Sequence, residues 1–341
     1  GEAFHMKTEE ASMKRLACAL KTIGFDYVFD TDFSADLTIM EEASEFLEKV
    51  KRGDQEKFPM FTSCCPGWLR YCKAHFPDFV DQLSTSKSPQ QMFGAVIKTY
   101  FAEKIGVDPS RIYSVSIMPC LAKKAECSYE TMKNEEGEPD VDVVLTTRVD
   151  RLLRMMNLEP AELPEVELDH PFPLGSGAGN IFGATGGVME AALRTAYQAV
   201  TGHNPDPDAF SAVRGMGGWK EETFDLAGTP LKVAVVHGLA NAGRLLHALK
   251  EGKVHYDFVE VMACPGGCVG GGGQPIYDGC EMAALRAPTL YTQDRAGSLR
   301  FCHENPEIQN CYRDFLEKPL SEKAEKLLHT DQHGWKMPLE I

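Results

Sequence analysis

The chain has 341 residues, 43% of them hydrophobic and 25% charged, which is typical of a globular protein with a large core. Its 50 acidic and 35 basic residues give a formal charge of −15, which argues against a nucleic-acid or anionic-membrane partner. No apolar run approaches the roughly 20 residues that span a bilayer, and no signal peptide is visible, so we expect a cytoplasmic protein.

The first half of the chain alternates predicted helices and strands. Helices are predicted at 9–23, 35–52, from Trp68 onward and at 88–105, and strands at 25–29, 58–63, 112–120 and 141–149. Acidic, proline-bearing stretches at 132–140 and 157–173 indicate loops. We place the boundary between two lobes in the second loop, which gives a first lobe at 1–165 and a second at 166–341.

The second half continues the alternation and ends in a polar tail. A helix is predicted at 186–201, capped by Thr185 and followed by Gly202. Strands are predicted at 231–238 and 256–264, and the tail from about 285 is predicted to be mostly helical. The whole pattern predicts an α/β fold of two lobes, in which mainly parallel sheets are flanked by helices.

Eleven cysteines are more than an ordinary enzyme of this size needs, and their odd number argues against a disulfide scaffold. A reduced compartment and metal-bound thiolates are the better interpretation. Six cysteines have no motif around them and are expected to be buried small residues: Cys18, Cys72, Cys127, Cys280, Cys302 and Cys311.

Three predicted strands each end at a cysteine, at the carboxyl edge where open α/β sheets bind ligands. The motifs are TSCCPGW at 62–68, MPCLAKKAE at 118–126 and EVMACPGGCVGGGGQP at 260–275. Cys264 and Cys268 lie four residues apart across a Pro-Gly-Gly turn and could bind one compact metal centre. On spacing alone, a zinc site and an iron–sulfur cluster both stay open.

In order and spacing, the three motifs resemble the cysteine signatures of the iron-only (FeFe) hydrogenases. The resemblance covers nearly the whole chain and includes LTIMEEASEFL, LSTSKSPQQMFGA and GNIFGATGGVMEAALRTA. It implies reversible reduction of protons to hydrogen at an H-cluster in the cleft between the lobes. This cofactor is a 4Fe–4S cubane bridged to a diiron unit with CO, cyanide and azadithiolate. The implied cubane ligands are Cys65, Cys120, Cys264 and Cys268, and Cys268 also bridges to the diiron unit.

The resemblance also assigns roles around the cofactor. Cys64 matches the proton-donor cysteine, and Lys123 matches a cation beside a cyanide, where a charge-assisted bond would anchor the anion. Ordinary packing and a surface lysine are the alternatives for these two residues. Further residues that match the cofactor pocket are Met118, Pro119, Met262, Gln90 and Phe182.

Glu42 and Glu45 lie three residues apart on one predicted helix. Taken alone, they favour a solvated face with a Glu45–Lys49 ion pair. The resemblance instead implies that both are proton relays, with Ser84 between them and the thiol. Lys49 stands where the family has an arginine, so it keeps the charge but not the planar guanidinium.

The resemblance implies ferredoxin or a similar low-potential carrier as electron donor, and dedicated enzymes that build the diiron unit. Accessory iron–sulfur domains are expected to be absent. A family strand that precedes the residues matching 1–4 is also absent, so another chain is a candidate to supply it. A hydrogen sensor and a non-catalytic iron–sulfur assembly protein are the alternatives. The complete proton route argues against the first, and Lys123, Met262 and Cys64 argue against the second.

Overall fold

A computed structural model describes residues 2–7, 10–54, 58–277 and 280–337. The first helices are α1 (Met13–Thr22), α2 (Asp32–Arg52), α3 (Pro66–His75), α4 (Pro89–Val96), α5 (Ala102–Ile105), α6 (Lys123–Glu126) and α7 (Asp150–Met155). They are followed by α8 (Gly177–Ile181), α9 (Gly187–Thr201), α10 (Leu239–Lys250), α11 (Ala283–Ala296), α12 (Pro306–Cys311) and α13 (Glu322–Leu328). The strands are β1 (Met60–Phe61), β2 (Val115–Met118), β3 (Val143–Thr146), β4 (Trp219–Leu226), β5 (Thr229–His237) and β6 (Phe258–Met262).

The strands form one sheet of order β1-β6-β5-β4 and a second sheet of β2 and β3. All pairs are parallel except β4 with β5. Helices cover the larger sheet on both faces, so the predicted α/β fold with mainly parallel sheets is confirmed. No helix in the described part of the chain is long and apolar enough to cross a bilayer.

The core lies on both faces of β6, because successive side chains of a strand point to opposite sides. Val259 packs with Leu69 of α3 and Leu245 of α10. Phe258 packs on the other side with Phe46 of α2 and Met189 of α9. Packing on both faces holds the carboxyl end of β6 in place, and the third cysteine motif begins there.

Most predicted elements are confirmed with changed ends. The helix expected at 88–105 runs through α4 and α5 and contains a π-helical turn at Ile97–Phe101. The strands expected at 58–63, 112–120 and 141–149 shorten to β1, β2 and β3. They shorten because their last residues turn away into the cysteine motifs or into helical turns.

Three local expectations were wrong. Residues 25–29 form no strand, since Val28 exchanges backbone and side-chain hydrogen bonds with Asp169 instead of pairing with a neighbouring strand. Gly186, not Thr185, caps α9, and the Thr185 hydroxyl has no partner among the described residues. Cys280 is exposed, whereas Cys72, Cys302 and Cys311 are buried as expected, and Cys18 and Cys127 are intermediate.

The sheets relate to the predicted lobes in an unexpected way. β1 precedes residue 165, yet it pairs with β6, so the four-stranded sheet takes strands from both sides of the proposed boundary. The boundary at 165 stays a prediction. β4 was not predicted, because its alternating polar residues resemble a surface segment and only its pairing with β5 shows that it is a strand.

A buried ion network joins α9 to α11. The Arg194 guanidinium is fully buried and lies 2.7 Å from Glu190 Oε1 and 3.0 Å from Asp294 Oδ2. Replacing Arg194 with alanine leaves Glu190 paired only with Arg214 and Asp294 only with Arg300, and it opens a cavity where the guanidinium was. We therefore expect Arg194→Ala to lower the free energy of unfolding in urea by about 3–5 kcal/mol.

An exposed ion pair is the control for this prediction. Arg313 pairs with Asp314 at 2.8 Å, but their side chains are 67% and 34% exposed. Arg313→Ala should therefore change the unfolding free energy by no more than about 1 kcal/mol. Equal losses in the two variants would show that the buried network adds nothing.

Candidate cluster-binding site

The first cysteine motif follows β1 and enters α3. Pro66 is the first residue of α3 and Cys65 is its N-cap. The Trp68 indole donates to the Thr62 carbonyl at 3.0 Å, which closes the turn between strand and helix. The Ala263 amide donates to Cys65 Sγ at 3.4 Å, so this thiol already contacts the third motif.

The second and third motifs fold against each other through glycines. The Gly273 amide donates to the Pro119 carbonyl at 3.0 Å, directly before Cys120. A Cβ on Gly273 would lie 2.7 Å from the Cys120 amide nitrogen, and a Cβ on Gly271 would overlap the Pro119 carbonyl oxygen. Glycine is therefore required where these backbones meet.

The predicted cofactor residues surround one cavity of about 1720 Å³. It is lined by Cys64 and the four predicted ligands, and by Lys123, Met118, Pro119, Met262, Gln90 and Phe182. Burial raises the pKa of Cys65, Cys264 and Cys268, and nearby thiolates raise it further. The four thiols are thus close enough to repel one another as thiolates, and a cluster of iron cations would relieve that repulsion.

The thiols do not converge on a single point. Within the described ranges, no three His, Cys, Asp or Glu side chains form a group that could hold one metal ion. A zinc ion would need its sulfur ligands at about 2.3 Å. Four thiols that line one cavity match the four cysteine ligands that a 4Fe–4S cluster takes.

Lys123 is buried beside the cavity. It belongs to a cluster of polar side chains that the sequence did not predict. Its Nζ lies 3.3 Å from both the Cys64 carbonyl and Glu126 Oε2. Gln90 also donates to Glu126, at 3.1 Å, and its own Oε1 has no partner among the described residues. Burial alone would lower the pKa of Lys123, but Glu126 and the thiolate of Cys120 raise it overall. Lys123 therefore stays cationic and suits a small anionic ligand.

Cys64 lies in an apolar cluster with Phe182, Met262 and the half-buried Cys268. Burial, followed by the nearby Glu42, raises the pKa of Cys64 well above its ordinary value. The thiol is therefore protonated at neutral pH. Met118 belongs to a separate small cluster that also contacts Cys120.

A line of polar groups leads from Cys64 toward the surface. Glu42 is fully buried and accepts from the Ser63 amide at 3.4 Å, while its Oε2 has no partner among the described residues. Burial, together with the charge of Glu45, raises the pKa of Glu42 to about 8. The Ser84 hydroxyl donates to Glu45 Oε2 at 2.6 Å.

Glu45 has the opposite protonation preference. Burial would raise its pKa, but Lys49, 2.8 Å away, and Ser84 outweigh burial and lower it. The simpler interpretation of these glutamates as a solvated face is wrong, because Glu42 is fully buried and Glu45 is only 7% exposed. The ion pair between Glu45 and Lys49, which that interpretation also predicted, is present.

The glycine run offers a direct test of the site. We expect Gly271→Ala to lower the iron bound per chain severely, since its methyl group would push the third motif away from Pro119. Gly272→Ala is the matched control, because its Cβ would meet only Leu121 at 3.4 Å, an ordinary contact. The test is the iron content of both variants after cluster reconstitution, which should be low only in Gly271→Ala. Equal iron content would show that the close approach is not needed.

Several residues around the route were missed by sequence analysis. Glu126 could have been found from its place three residues after Lys123 on one short helix. Thr85 contacts Glu45 and Gln332 contacts Ser84, while His329 joins Thr85 to Glu41. No sequence signal links them, because they come from opposite ends of the chain.

The fold and site define an α/β protein with four cysteines around one cavity at the carboxyl ends of three strands. Residues 1–272 match the profile of the iron-only hydrogenase large subunit, C-terminal domain, and residues 280–334 match that of the iron hydrogenase small subunit. The chain belongs to the iron-only hydrogenase family.

Individual relatives agree with this assignment. The NADP-reducing hydrogenase subunit HndD of Solidesulfovibrio fructosivorans is 49% identical over 322 residues, which are 93% of this chain and 55% of the relative. The chain thus spans little more than half of that relative. A solved FeFe-hydrogenase HydA1 from Chlamydomonas reinhardtii is 40% identical with a TM-score of 0.84, covering 96% of this chain and 90% of the other. The cytosolic iron–sulfur assembly component 3 of Mus musculus is also similar, 33% identical over 95% of this chain and 70% of its own length.

Proposed function

We propose that the chain is the catalytic core of an FeFe hydrogenase that reversibly reduces protons to hydrogen at an H-cluster. The observation that carries the proposal is the buried line of Cys64, Glu42, Ser84 and Glu45 beside the four-cysteine cavity. A protein that only stores or transfers a cubane has no use for such a line. The reaction consumes protons, so a buried cluster needs a chain of side chains that can carry protons in from solvent.

The residues present fit the cofactor. Cys65, Cys120, Cys264 and Cys268 would hold the cubane, with Cys268 shared with the diiron unit. Lys123 and the unpartnered Gln90 Oε1 would meet the polar ligands of the diiron unit, and Phe182, Met118 and Met262 would exclude water from it. When bound, the H-cluster would supply the irons at which two protons and two electrons become hydrogen.

The side chains of the route differ in their protonation states at neutral pH. The Cys64 thiol and Glu42 would both be protonated, while Glu45 is ionised by its contact with Lys49. Once Cys64 has given up its proton, Glu42 can restore the thiol, and a proton that arrives at Glu45 can then pass through the Ser84 hydroxyl to the Glu42 carboxylate. Each hop joins groups whose proton affinities differ in the direction that the transfer needs.

The proposed partners follow from the same reaction. Ferredoxin or a similar low-potential carrier would bring electrons, and the half-exposed Leu121 beside Cys120 gives such a carrier access to the cubane side. Dedicated maturation enzymes would supply the diiron unit. Another chain could supply a strand beside β2, which among the described residues pairs only with β3. We also propose a cytoplasmic location, although one relative is named as periplasmic.

A second candidate function is iron–sulfur assembly, which the names of relatives such as the mouse protein favour. Hydrogen evolution separates the two candidates. After maturation with the diiron-building enzymes, the chain should evolve hydrogen from a reduced low-potential donor, and without them it should hold the cubane alone. A matured sample with a full cubane and no hydrogen evolution would favour assembly. A hydrogen sensor would show the full cofactor with very little turnover.

A further inference from the structure

The C-terminal segment 328–332 lies against the middle of the proton route. The Thr330 amide donates to the Thr85 carbonyl at 2.7 Å, and the Lys87 amide donates to the Leu328 carbonyl at 2.8 Å. Gln332 Nε2 donates to the Ser84 carbonyl at 2.8 Å. The segment therefore packs along the backbone of 84–87 and forms one wall of the route.

His329 is the titratable side chain that this wall presents, and both of its ring nitrogens are occupied. Nε2 lies 3.1 Å from Glu41 Oε2, and Nδ1 lies 2.8 Å from Thr85 Oγ1. The side chain of His329 is 8% exposed and that of Glu41 is fully buried. The imidazole thus lies between solvent and the interior.

Glu41 is arranged to act as an acceptor toward His329. Its Oε1 accepts from the Tyr312 hydroxyl at 2.5 Å, and its Oε2 also accepts from the Leu320 amide at 3.0 Å. Burial and the charge of Glu41 raise the pKa of Tyr312 well above its ordinary value, so the phenol keeps its proton and donates. A carboxylate held in this way fixes the hydrogen of His329 on Nε2 and leaves Nδ1 free to accept.

Thr85 connects this imidazole to the route. Its amide donates to both carboxylate oxygens of Glu45 at 3.1 Å, while its hydroxyl meets His329 Nδ1. Glu45 also carries the ion pair with Lys49. The charged and titratable groups facing His329 are therefore Glu41, Glu45 and Lys49 of α2, with Tyr312 behind Glu41.

We propose that His329 is the solvent-side proton-exchanging residue that supplies Glu45 through Thr85, with Glu41 as its positioning carboxylate. This inference rests on the proposed function and adds an outer end to the route beyond the ion pair of Glu45 with Lys49. Histidine suits the task because it exchanges protons between pH 5 and 8.

The proposed step is a reversal of one hydrogen bond. In the neutral imidazole, Nδ1 accepts from the Thr85 hydroxyl. A solvent proton taken up at Nδ1 makes this nitrogen the donor to Thr85 Oγ1, so the threonine hydrogen is released toward Glu45. The structure joins Thr85 to Glu45 by the amide and not by the hydroxyl, so that hydrogen would reach the Glu45 carboxylate through a bridging water. Transfer of the Nδ1 proton to Thr85 Oγ1 then returns His329 to its neutral form. One proton leaves solvent and one reaches Glu45.

The first test compares His329→Gln with His333→Gln in the matured chain. His333 lies on the same segment and pairs with Asp81 at 2.9 Å, but its side chain is 62% exposed. We expect His329→Gln to lower hydrogen turnover roughly tenfold, less than the roughly 100-fold typical of a group at the reacting atoms. Added imidazole should restore part of the loss, and His333→Gln should resemble the wild type. Equal turnover in both variants would overturn the proposal.

Two variants of Thr85 test the proposal even if His329→Gln does not fold. Thr85→Val retains the amide that holds Glu45 but removes the hydroxyl, so it should lose turnover as His329→Gln does. Thr85→Ser keeps a hydroxyl at the same place and should retain turnover. Full turnover in Thr85→Val would contradict the hydroxyl step.

A second readout does not depend on hydrogen turnover. In the full chain labelled with carboxyl-¹³C glutamate, the Glu45 signal is identified by its loss in Glu45→Gln. The charge of His329 contributes to the lowered pKa of Glu45, so His329→Gln should raise the pKa of Glu45. An unchanged Glu45 titration would refute the coupling. A wild type that shows this coupling but evolves no hydrogen would refute the proposed function alone.

Discussion

Replacing Cys64 with alanine is expected to remove at least about 99% of hydrogen turnover while leaving the cofactor in place, since a positioned proton donor contributes roughly 100-fold or more. Cys64 lines the cavity but is not among the four predicted ligands. Its buried, protonated thiol is the last group of the route, and alanine carries no exchangeable proton. Turnover per bound cofactor and iron content per chain are the two measurements.

The matched control is Cys72→Ala. Cys72 lies on α3, the helix that follows Cys64 in the chain. It is fully buried and does not line the cavity. Its alanine variant should retain turnover and iron. Wild-type turnover in Cys64→Ala would show that the thiol is not part of the route. Loss of iron in that variant would show that Cys64 is a cluster ligand.

Glu42→Gln is expected to lower turnover by a similar factor and to change how stability depends on pH. Glutamine keeps the shape and can still accept from the Ser63 amide, but it cannot carry the proton onward. The pKa of Glu42 is raised from 4.5 to about 8 in the folded chain. The folded state therefore binds more protons than the unfolded state between these values, and the wild type loses stability as the pH rises through that window.

The sign of the effect follows directly. Below pH 4.5 the wild type has the full benefit of a neutral Glu42, and by pH 8 that benefit is lost, at about 1.4 kcal/mol per unit of pKa shift. Glu42→Gln should thus melt at a higher temperature than the wild type near pH 9, and the difference should shrink toward pH 5. Glu48→Gln on the exposed side of α2 is the control. A difference between Glu42→Gln and the wild type that does not vary with pH would contradict the raised pKa.

The sequence predicted the long periodic elements well, because helical and strand periodicities are set locally. α2 and α9 and the strands β5 and β6 lie where they were expected. Residues 25–29 have strand-like composition, yet Val28 finds its hydrogen-bond partner in Asp169, 141 residues away. β4 could not be recognised for the same reason, since only β5 beside it makes its polar alternation a strand.

The residues that line the candidate cavity could largely be predicted from the sequence, because the predicted ligands occur in short motifs at strand ends. The structure brings all four cysteines, Cys64 and Lys123 to one cavity. For the outer end of the proposed proton route, the sequence offered only Lys49 and not His329. His329 lies 288 residues from Glu41 and 244 from Thr85, and no local pattern records that they meet.

An infrared spectrum of the matured chain tests the central claim most directly. If the chain holds an H-cluster, the spectrum will show bands of iron-bound CO and cyanide, and these bands will be absent from protein made without the maturation enzymes. The cavity residues Lys123, Phe182 and Met262 would then surround the ligands that give rise to the bands. A matured sample with a complete cubane and neither CO nor cyanide bands would contradict the claim.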